Sequence, residues 1–359
     1  MRVFHIISGF ENGGVEMLLE RWIAAMPRDI EFHIVAHDVT VPACRDRLAA
    51  LGAEIHLIPR RKRPFAHQRA LRALFLQYRP EVVHVHTTEW GFLALQIARR
   101  CAVPVRIQHS HAAWRCPVSP SLALRFRLGR RAATDYFACG EAAARTAFGE
   151  RLLQEGGVVL LPNGIDVEKF RFDPVRRAAM RQELDLAEDA LAIGMVARFS
   201  PQKNHGAALD IFECFFRRHP NAVLLLVGDG ELRPEIEAAA AKRFPTGAVR
   251  FLGVREDVAP LYDAMDRFLL PSRFEGFPIT LVEAQSAGLP AAVSDTVSPE
   301  VALTDLVRFA SVEDENAFCD ALEHSPASPR EAYAEAVLQA GFSLTDAAER
   351  LYQFYQSKK

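Results

Sequence analysis

Short apolar runs alternate with amphipathic segments along most of the chain. Between the runs, apolar residues recur at helical spacing, as at Val15, Leu18, Leu19, Trp22 and Met26. Near-continuous apolar runs are typical of parallel strands that helices cover on both faces, so the pattern predicts a βα series. Its predicted strands are RVFHII (2–7), EFHIVAH (31–37), EIHLI (54–58), EVVHVH (81–86), VRIQH (105–109), TDYFA (134–138) and VVLL (158–161).

A second series begins after a turn at PNGID (162–166) and a polar stretch. Two successive series predict an α/β fold with two Rossmann-like, doubly wound domains and sites at the carboxyl ends of the strands. We place the domains at 1–165 and 166–342, and Ser343 with Asp346 is expected to cap a last helix. The second set of predicted strands is LAIGMVA (191–197), AVLLLV (222–227), AVRFL (248–252), DRFLL (266–270) and AAV (291–293).

Composition changes this picture little. The chain has 359 residues, of which 50% are hydrophobic, enough for two cores of ordinary size. A balance of 43 Lys+Arg against 45 Asp+Glu argues against nucleic acid as a partner. Six scattered cysteines without a CxxC pair argue against a disulfide framework and fit a reducing cytosol. The short apolar run after Met1 predicts a buried strand in place of a signal peptide, so we expect a cytoplasmic protein.

The strongest chemical signal is PSRFEGFPITLVEAQSAGLP (271–290), which follows a predicted strand and opens a helix. Gly276 lets backbone approach a ligand, and Pro278 suits a first helical turn. The free amides that follow form an anion site suited to a diphosphate. Glu275 in the loop and Glu283 in the helix could hold a nucleotide-sugar at both ends. For the two glutamates alone, an ordinary helix with a surface and a core-flanking carboxylate is the competing interpretation.

A second signal is GMVARFSPQKNH (194–205), where Arg198 and Lys203 follow a predicted strand. Two fixed cations at a strand end can neutralise a pyrophosphate leaving group in place of a metal ion. Taken alone, such a pair is more often a set of solvated surface charges.

Three weaker motifs surround these two. In LLVGDGELRPEIE (225–237), Gly228 follows a predicted strand, and the segment resembles half of a glycine-rich phosphate-binding turn. Val254 offers a backbone contact for a base. In the first domain, Gly13 and Gly14 join strand one to helix one and could let the backbone approach a phosphate or an acceptor hydroxyl. Each glycine turn can also be a plain tight βα connection.

Two His-x-His pairs, His84/His86 and His109/His111, close predicted strands. Imidazole is a good zinc ligand, but structural zinc sites usually take four ligands, and no Cys or Asp accompanies the pairs at close spacing. We therefore predict no metal site and interpret the four histidines as a polar lining of the cleft between the domains.

Together these segments resemble glycosyltransferase family 4, retaining enzymes with the architecture called GT-B, in which two Rossmann-like domains face across a cleft. ENGGVEMLL, VVHVHTTEWG, VRIQHSHAAW and ATDYFACGEAAARTAFG narrow the resemblance to bacterial exopolysaccharide and capsule-type enzymes. One departure is Ala197 in VARF (196–199), where the family often has glycine. The family order is kept by PNGID (162–166), Arg198 with Lys203, VGDG (227–230) and the Glu-x7-Glu element from Glu275 to Glu283.

The resemblance assigns roles to residues of this sequence. His111 best matches the catalytic-side histidine of the family, with His109 as the runner-up, and the helix at 343–359 would cross back onto the first domain. The donor-side assignments are Glu275, Gly276 and Phe277 for the sugar, Glu283 for the ribose, Arg198 and Lys203 for the diphosphate, and Gly228, Val254, Thr280 and Leu281 as further nucleotide contacts.

The implied activity is transfer of a hexose from a nucleotide diphosphate, UDP being favoured, to a saccharide or lipid-linked acceptor in cell-envelope polysaccharide synthesis. We expect retention of the anomeric configuration, and no cofactor or divalent metal. Two alternatives stay open: a nucleotide-sugar epimerase or phosphorylase on the same fold, and a non-catalytic carbohydrate-binding scaffold. The four charged donor-side residues argue against the scaffold, which has no use for them.

The segment 60–79 predicts peripheral contact with an anionic membrane at the inner face of the cell membrane. The competing interpretation is a core-facing helix with a solvated basic face. The residues concerned are the basic Arg61, Lys62, Arg63, Arg69 and Arg72 and the apolar Leu71, Leu74, Phe75 and Tyr78.

Overall fold

The computed structural model describes residues 1–11, 13–87, 90–112 and 118–358. The chain divides into two compact units. Unit 1 comprises Met1–Gly164 with Leu344–Lys359, and unit 2 comprises Ile165–Ser343. The domain boundaries proposed from the sequence lie within one residue of this division.

Unit 1 is built on a parallel sheet with helices between successive strands. In chain order its elements are β1 (Arg2–Ile6), α1 (Gly14–Ala25), β2 (Glu31–Ala36), α2 (Pro42–Ala50), β3 (Glu54–Leu57), α3 (Pro64–Tyr78), β4 (Val82–Val85), α4 (Gly91–Arg100), β5 (Val105–Ser110), α5 (Pro120–Ala132), β6 (Asp135–Ala138), α6 (Glu141–Phe148), α7 (Glu150–Gln154) and β7 (Val159–Leu160). The strand order is β3-β2-β1-β4-β5-β6-β7, with every neighbouring pair parallel.

Unit 2 repeats the arrangement, and the chain then ends in a helix that belongs to unit 1. The elements are α8 (Val167–Phe170), α9 (Pro174–Glu183), β8 (Leu191–Val196), α10 (His205–Arg218), β9 (Ala222–Val227), α11 (Arg233–Arg243), β10 (Val249–Gly253), α12 (Val258–Ala264), β11 (Arg267–Leu270), α13 (Ile279–Ser286), β12 (Ala291–Ser294), β13 (Val307–Ala310), α14 (Glu315–Leu322), α15 (Tyr333–Gln339) and α16 (Leu344–Gln356). The strand order is β10-β9-β8-β11-β12-β13, again all parallel.

All twelve strands expected from the apolar runs are present, and the prediction of two Rossmann-like parallel sheets is confirmed. The sequence pattern missed β13, which pairs with β12 at the edge of the second sheet. Its four residues include the exposed Arg308, so the apolar run is too short and too interrupted to stand out.

Helices cover both faces of the first sheet, which explains why its central strands have apolar residues on both faces. Val3 and Ile7 of β1 and the segment after it pack with Trp22 of α1 in one cluster. Phe4 packs in a second cluster with Phe75 of α3 on the opposite face. Successive side chains of a strand point to opposite faces, so a strand buried on both sides needs apolar residues on both faces. His5 lies between Phe4 and the next apolar residue and is equally buried.

The last helix completes the cluster on the Val3 face. Ala347, Ala348, Leu351 and Tyr355 of α16 are buried there, as the helical spacing predicts. Fully burying a leucine-sized side chain stabilises a fold by roughly 1.5–3 kcal/mol. The terminal helix is therefore part of the core of unit 1.

Candidate active site

The candidate donor site of unit 2 lies where the strand order reverses. β8 and β11 are neighbours in the sheet, although two strands and three helices separate them in the chain. The loops that follow these two strands therefore leave the same edge of the sheet side by side, at the switch point where doubly wound sheets bind ligands. The loops are joined directly: the Arg273 amide donates to the Gln202 carbonyl at 2.9 Å, and the Asn204 side chain donates to the Pro271 carbonyl at 3.2 Å.

Lys203 and Glu275 meet at this point. The ammonium Nζ of Lys203 lies 2.6 Å from Oε1 of Glu275, whose side chain is only 6% exposed. The Gln202 side chain donates to the Phe274 carbonyl at 2.9 Å and to Glu275 Oε2 at 3.4 Å. A carboxylate this buried needs a charged or hydrogen-bonding partner. The structure thus brings together two residues that the sequence separates by 72 positions.

Arg198 lies in the same loop region but is far more exposed. Its side chain is 57% exposed and forms an ion pair with Glu231 at 3.3 Å. Such an exposed pair contributes little stability, because water screens it. The guanidinium can therefore exchange this carboxylate for another anion at low cost.

The start of α13 supplies further hydrogen-bond donors at the end of the Glu275 loop. Pro278 is the residue before the helix, which begins at Ile279, so the expected place for Pro278 in the first turn is wrong by one position. The Leu281 amide donates to the Pro278 carbonyl at 3.1 Å. The amides of Ile279 and Thr280 come before any possible acceptor within the helix. These two are the amides best placed to bind an anion.

Glu283 is held inside unit 2 by a tyrosine. Its side chain is buried, and its Oε2 accepts a hydrogen bond of 3.0 Å from the hydroxyl of Tyr262. The same hydroxyl lies 3.3 Å from the Thr280 carbonyl. Tyr262 of α12 is itself wholly buried. This contact fixes the carboxylate in one orientation, one turn beyond the helix start.

Other predicted donor residues serve the packing of the loops. Gly228 has φ of +133°, and a Cβ there would lie 2.1 Å from the Ala197 carbonyl oxygen. Its amide donates to the Gly253 carbonyl at 2.8 Å, so this amide is already engaged. Glycine is required here by close backbone approach, which fits the tight-connection interpretation.

Four more predicted contacts divide into buried and exposed residues. The ring of Phe277 stacks on Phe342 with centroids 4.9 Å apart, and Leu281 is wholly buried. Gly276 is buried in the loop between them and Glu275. Val254 is 64% exposed just after β10. Phe277 and Leu281 can therefore meet a ligand through their backbone, since their side chains belong to the core.

In unit 1, the predicted histidine lining is wrong for three of its four members. His84 and His109 are fully buried and His86 is 5% exposed. Residues two apart on a strand share one face, and here that face lies beneath α1 and α16. Trp22 stacks on His109 with ring centroids 6.0 Å apart, and Tyr355 contacts His84. His111, which follows β5, is partly exposed.

The histidines form a larger cluster than the sequence suggests, because β1 adds His5. Nitrogen atoms of His5, His84 and His86 lie within 4.8 Å of one another, as do those of His86, His109 and His111. Burial lowers the pKa of His5 and of His111 to about 3. Burial also holds the pKa values of the other three well below the usual range, so all five rings are neutral near pH 7.

The glycine turn of unit 1 leads into α1. Gly13 is the residue before the helix, and Gly14 is its first residue. A Cβ at Gly13 would lie 2.9 Å from Oε2 of Glu16. Burial raises the pKa of the Glu16 carboxyl, while the amides of Glu11 and Gly13 lower it. Glu16, the third residue of α1, therefore accepts hydrogen bonds from backbone amides at the start of the helix, as in a capping box.

The helix α3 has an apolar stripe that faces the sheet. Leu71 and Phe75 are buried, as the core-facing interpretation expects. The exposed apolar residues are different ones: Phe65 is 88% exposed and Leu76 is 48% exposed. Across the described parts of the chain, no helix combines the length and the apolar character that crossing a bilayer requires.

Sequence reasoning missed three residues that hold the sites in place. The sequence could have indicated Gln202, because it lies beside Lys203 in the PQKN turn. It gave no indication for Tyr262, since an aromatic residue at helical spacing predicts a position in the core. His5 could have been found from the alternation of β1 next to a strand that contains two histidines.

Comparison with known proteins matches the two parts of the chain to two family descriptions. Residues 12–169 match the family described as Glycosyltransferase Family 4, and residues 176–326 match Glycosyl transferases group 1. EpsF of Bacillus subtilis (strain 168), a protein assigned as a glycosyltransferase, is 35% identical over 312 residues, which are 84% of this chain and 80% of EpsF.

Two further likenesses are more distant. The Escherichia coli UDP-Gal:alpha-D-GlcNAc-diphosphoundecaprenol alpha-1,3-galactosyltransferase is 27% identical over 240 residues, 63% of this chain and 60% of that enzyme. The crystal structure of Anabaena Alr3699/HepE in complex with UDP and glucose superposes with a TM-score of 0.81 at 20% identity, covering 99% of this chain and 100% of that one. The protein is therefore a glycosyltransferase that belongs to family 4 and has the GT-B fold of two Rossmann-like domains.

Proposed function

We propose that this enzyme transfers a hexose from a UDP-sugar to a saccharide or lipid-linked acceptor in polysaccharide biosynthesis, with retention of the anomeric configuration. The observation that carries the proposal is the contact between Lys203 and the buried Glu275 at the switch point of unit 2. Beside it lie the replaceable Arg198 ion pair and the open amides of α13. Cations, amides and a carboxylate at one sheet edge match the parts of a nucleotide diphosphate sugar.

The cations supply what a leaving diphosphate needs. Negative charge develops on the diphosphate as the bond to the sugar breaks, and preorganised positive groups stabilise that charge. Arg198 forms an exposed ion pair with Glu231, and a phosphate can replace that carboxylate at low cost. Lys203 already lies in the loop and neutralises Glu275, whose charge would otherwise repel the donor. We propose that these groups stabilise the leaving diphosphate without a divalent metal.

Glu275 is a poor candidate for a nucleophile or a general base. Its two oxygens face Lys203 and Gln202, at 2.6 and 3.4 Å, so both are engaged. An inverting enzyme needs a base on the acceptor side, and a double displacement needs a free carboxylate at the anomeric carbon. A site with leaving-group stabilisers and an engaged carboxylate supports acceptor attack from the face of the leaving diphosphate. The departing phosphate oxygen then takes the acceptor proton.

The relatives support the choice of donor and acceptor class. The name of the Escherichia coli enzyme specifies a UDP-sugar donor and a lipid-linked diphosphate acceptor. The Anabaena structure holds UDP and glucose in the same fold. Glu283, oriented by Tyr262, suits a ribose, and His111 of unit 1 suits a substrate hydroxyl.

We also propose reversible contact with an anionic membrane through the outer face of α3. Phe65, Arg69, Arg72 and Leu76 are exposed and spaced by four, three and four residues, which puts them on one face of the helix. An exposed basic face with apolar residues suits the headgroup region of a bilayer. A lipid-linked acceptor would be reached from such a position.

The test combines donor consumption with stereochemistry. We expect slow hydrolysis of a UDP-hexose without acceptor, and a non-catalytic scaffold would show none. With an acceptor, proton NMR of the new linkage should show the anomeric coupling of the donor. An inverted coupling, or a glycosyl ester trapped on Glu275, would contradict the proposed mechanism.

A further inference from the structure

Five histidines of unit 1 are arranged in two hydrogen-bonded rows: His5, His84, His86, His109 and His111. In the first row, Nδ1 of His5 lies 2.9 Å from Nε2 of His86, and Nδ1 of His86 lies 2.8 Å from Nε2 of His111. The row thus runs from the middle of β1 to the segment just after β5. It ends at the one histidine of the cluster that is partly exposed.

The second row runs beside the first. The hydroxyl of Tyr355 lies 2.6 Å from Nδ1 of His84, and Nε2 of His84 lies 3.0 Å from Nδ1 of His109. The rings of the two rows stack: His109 and His111 have centroids 3.9 Å apart, and His84 and His86 have centroids 4.3 Å apart. Stacking leaves the imidazoles little freedom to rotate.

Neutral imidazoles in a row cannot choose their tautomers independently. Each ring has one N–H donor and one lone pair, so a ring that donates at one nitrogen must accept at the other. Both bonds of the first row join an Nδ1 to an Nε2. The three rings are therefore all protonated on Nδ1 or all protonated on Nε2.

The first row ends at His111, just beyond the carboxyl end of β5, with one ring nitrogen not bonded to any described residue. Nδ1 of His111 is buried and has no hydrogen-bond partner among the residues that the structure describes. A buried polar atom without a partner carries a desolvation cost that a bound hydroxyl can remove. Residues just beyond the carboxyl ends of such strands are where these folds bind substrate.

We propose that His86, itself held by His5, is a positioning residue that fixes the tautomer of His111, so that His111 presents one defined nitrogen to a substrate hydroxyl. The inference rests on the proposed function, in which His111 meets substrate. It adds a reason for two further histidines that never reach the substrate themselves.

The distances favour hydrogen bonds over a shared metal ion. Zinc binds imidazole nitrogen at about 2.0–2.1 Å, so two ligands of a tetrahedral zinc lie about 3.3 Å apart. The contacts of 2.8 and 2.9 Å in the first row are shorter than that and match N–H···N bonds. The two descriptions also differ chemically, because a metal would take the lone pairs that the bonds use.

The experiment compares His86→Leu with His86→Asn. Asparagine places an amide where Nδ1 of the imidazole lies and can donate or accept, whereas leucine can do neither. We expect nitrogen-15 NMR of the unaltered protein to show one shared tautomer for His5, His86 and His111. His86→Leu should give a mixed tautomer at His111 and lower kcat about tenfold, the effect of losing one orienting hydrogen bond. His86→Asn should keep most of the single His111 tautomer and most of the kcat of the unaltered protein.

His33→Leu is the matched control. His33 is a fully buried histidine of the same sheet, and its Nδ1 lies 2.9 Å from Nε2 of His56. Its ring stacks on Phe4, whose side chain points to the opposite face of the sheet from His5. The His33→Leu variant should be less stable than the unaltered protein, but its His111 tautomer and its kcat should be unchanged. Mixed tautomers in the unaltered protein, a stoichiometric metal ion found by elemental analysis, or a His86→Leu enzyme with unchanged tautomer and rate would each overturn the inference.

A separate variant tells the two proposals apart. If His111→Ala keeps full activity, the proposed contact of His111 with substrate is wrong, whatever the NMR shows. If His111→Ala loses activity while His86→Leu keeps both tautomer and rate, the proposed function stands and the positioning role of His86 falls. Should His86→Leu fail to fold, the NMR measurement and His86→Asn still decide.

Discussion

The two units carry their candidate chemistry in different places. In unit 2, the charged Arg198, Lys203 and Glu275 lie in loops beyond the strand ends, where ion pairs can be exchanged for a ligand. In unit 1, His84 and His109 lie inside the sheet, uncharged and bonded to other polar side chains. Charge is cheap to keep near water and costly to bury, whereas a neutral polar group can be buried if its partners are complete.

This difference indicates two ways to build a site on one fold. Loop charges bind and release a charged substrate, and their geometry can change when it arrives. A buried imidazole network fixes the direction of its hydrogen bonds, because a change of tautomer at one ring requires the same change at the next ring. Experiments that affect charge, protonation or burial should therefore act differently on the two units.

The largest expected effect is on the acid stability of unit 1. Burial lowers the pKa of His5 and His111 from 6.5 to about 3. Between these two pKa values, the two histidines are protonated in the unfolded chain and neutral in the folded chain. Stability is therefore complete above pH 6.5 and falls as the pH is lowered toward 3, by about 1.4 kcal/mol per pH unit for each histidine.

Urea unfolding followed by tryptophan fluorescence can measure this decline. All three tryptophans, at positions 22, 90 and 114, belong to the segment of unit 1, so the signal reports that unit. His5→Phe should make the pH slope shallower by about one proton. Unit 2, with His205 at a pKa of about 4, should show a smaller decline by hydrogen exchange. A slope unchanged by His5→Phe would contradict the assignment.

Lys203→Ala tests the charged site with the next largest effect. Loss of one group that stabilises the leaving diphosphate should lower kcat about 10²-fold, or about 3 kcal/mol. It should also lower the melting temperature, because Glu275 is left buried without its cation. Adding Glu275→Gln should restore stability but not rate, and the exposed Lys242→Ala should change neither. If a chelator abolishes turnover while Lys203→Ala barely matters, the metal-free mechanism is wrong.

The two glutamates should separate binding from turnover. Glu283→Ala should weaken affinity for free UDP, since a ribose contact is made in the ground state and the transition state alike. Glu275→Ala should mainly lower kcat, because the sugar changes charge during reaction. Tyr262→Phe removes one hydrogen bond to Glu283 and should weaken UDP by about 1 kcal/mol. Calorimetric titration that gives equal losses for both glutamates would refute the assignment.

The smallest expected effect concerns the membrane. Each basic residue near an anionic surface contributes about 1 kcal/mol, so Arg69→Glu with Arg72→Glu should weaken sedimentation with anionic liposomes at low salt. Phe65→Ser should weaken the binding further. Arg217→Glu, an exposed change on α10 of unit 2, serves as the control. Absence of binding by the unaltered protein at low salt would leave α3 a structural helix only.

The sequence by itself determined the strands, their division into two series and the motifs at the donor edge. It could do so because parallel strands buried on both faces are rich in apolar residues, and because loops that bind phosphate need glycines and cations next to a strand end. Arg198 and Lys203 were predicted for that reason, whereas Glu275 and Glu283 received their roles from the resemblance to family 4. β13 was missed because four residues with an arginine carry too little pattern.

Only the tertiary structure decided which of these residues touch. The pairing of β8 with β11 puts Lys203 against Glu275, and α12 brings the hydroxyl of Tyr262 to Glu283. The histidines show the limit most clearly. Spacing of two residues predicts a shared face, but whether that face is a lining or a core depends on what covers it, and α1 and α16 cover it here from opposite ends of the chain. Contact between distant segments follows from strand order, which no local pattern in the sequence encodes.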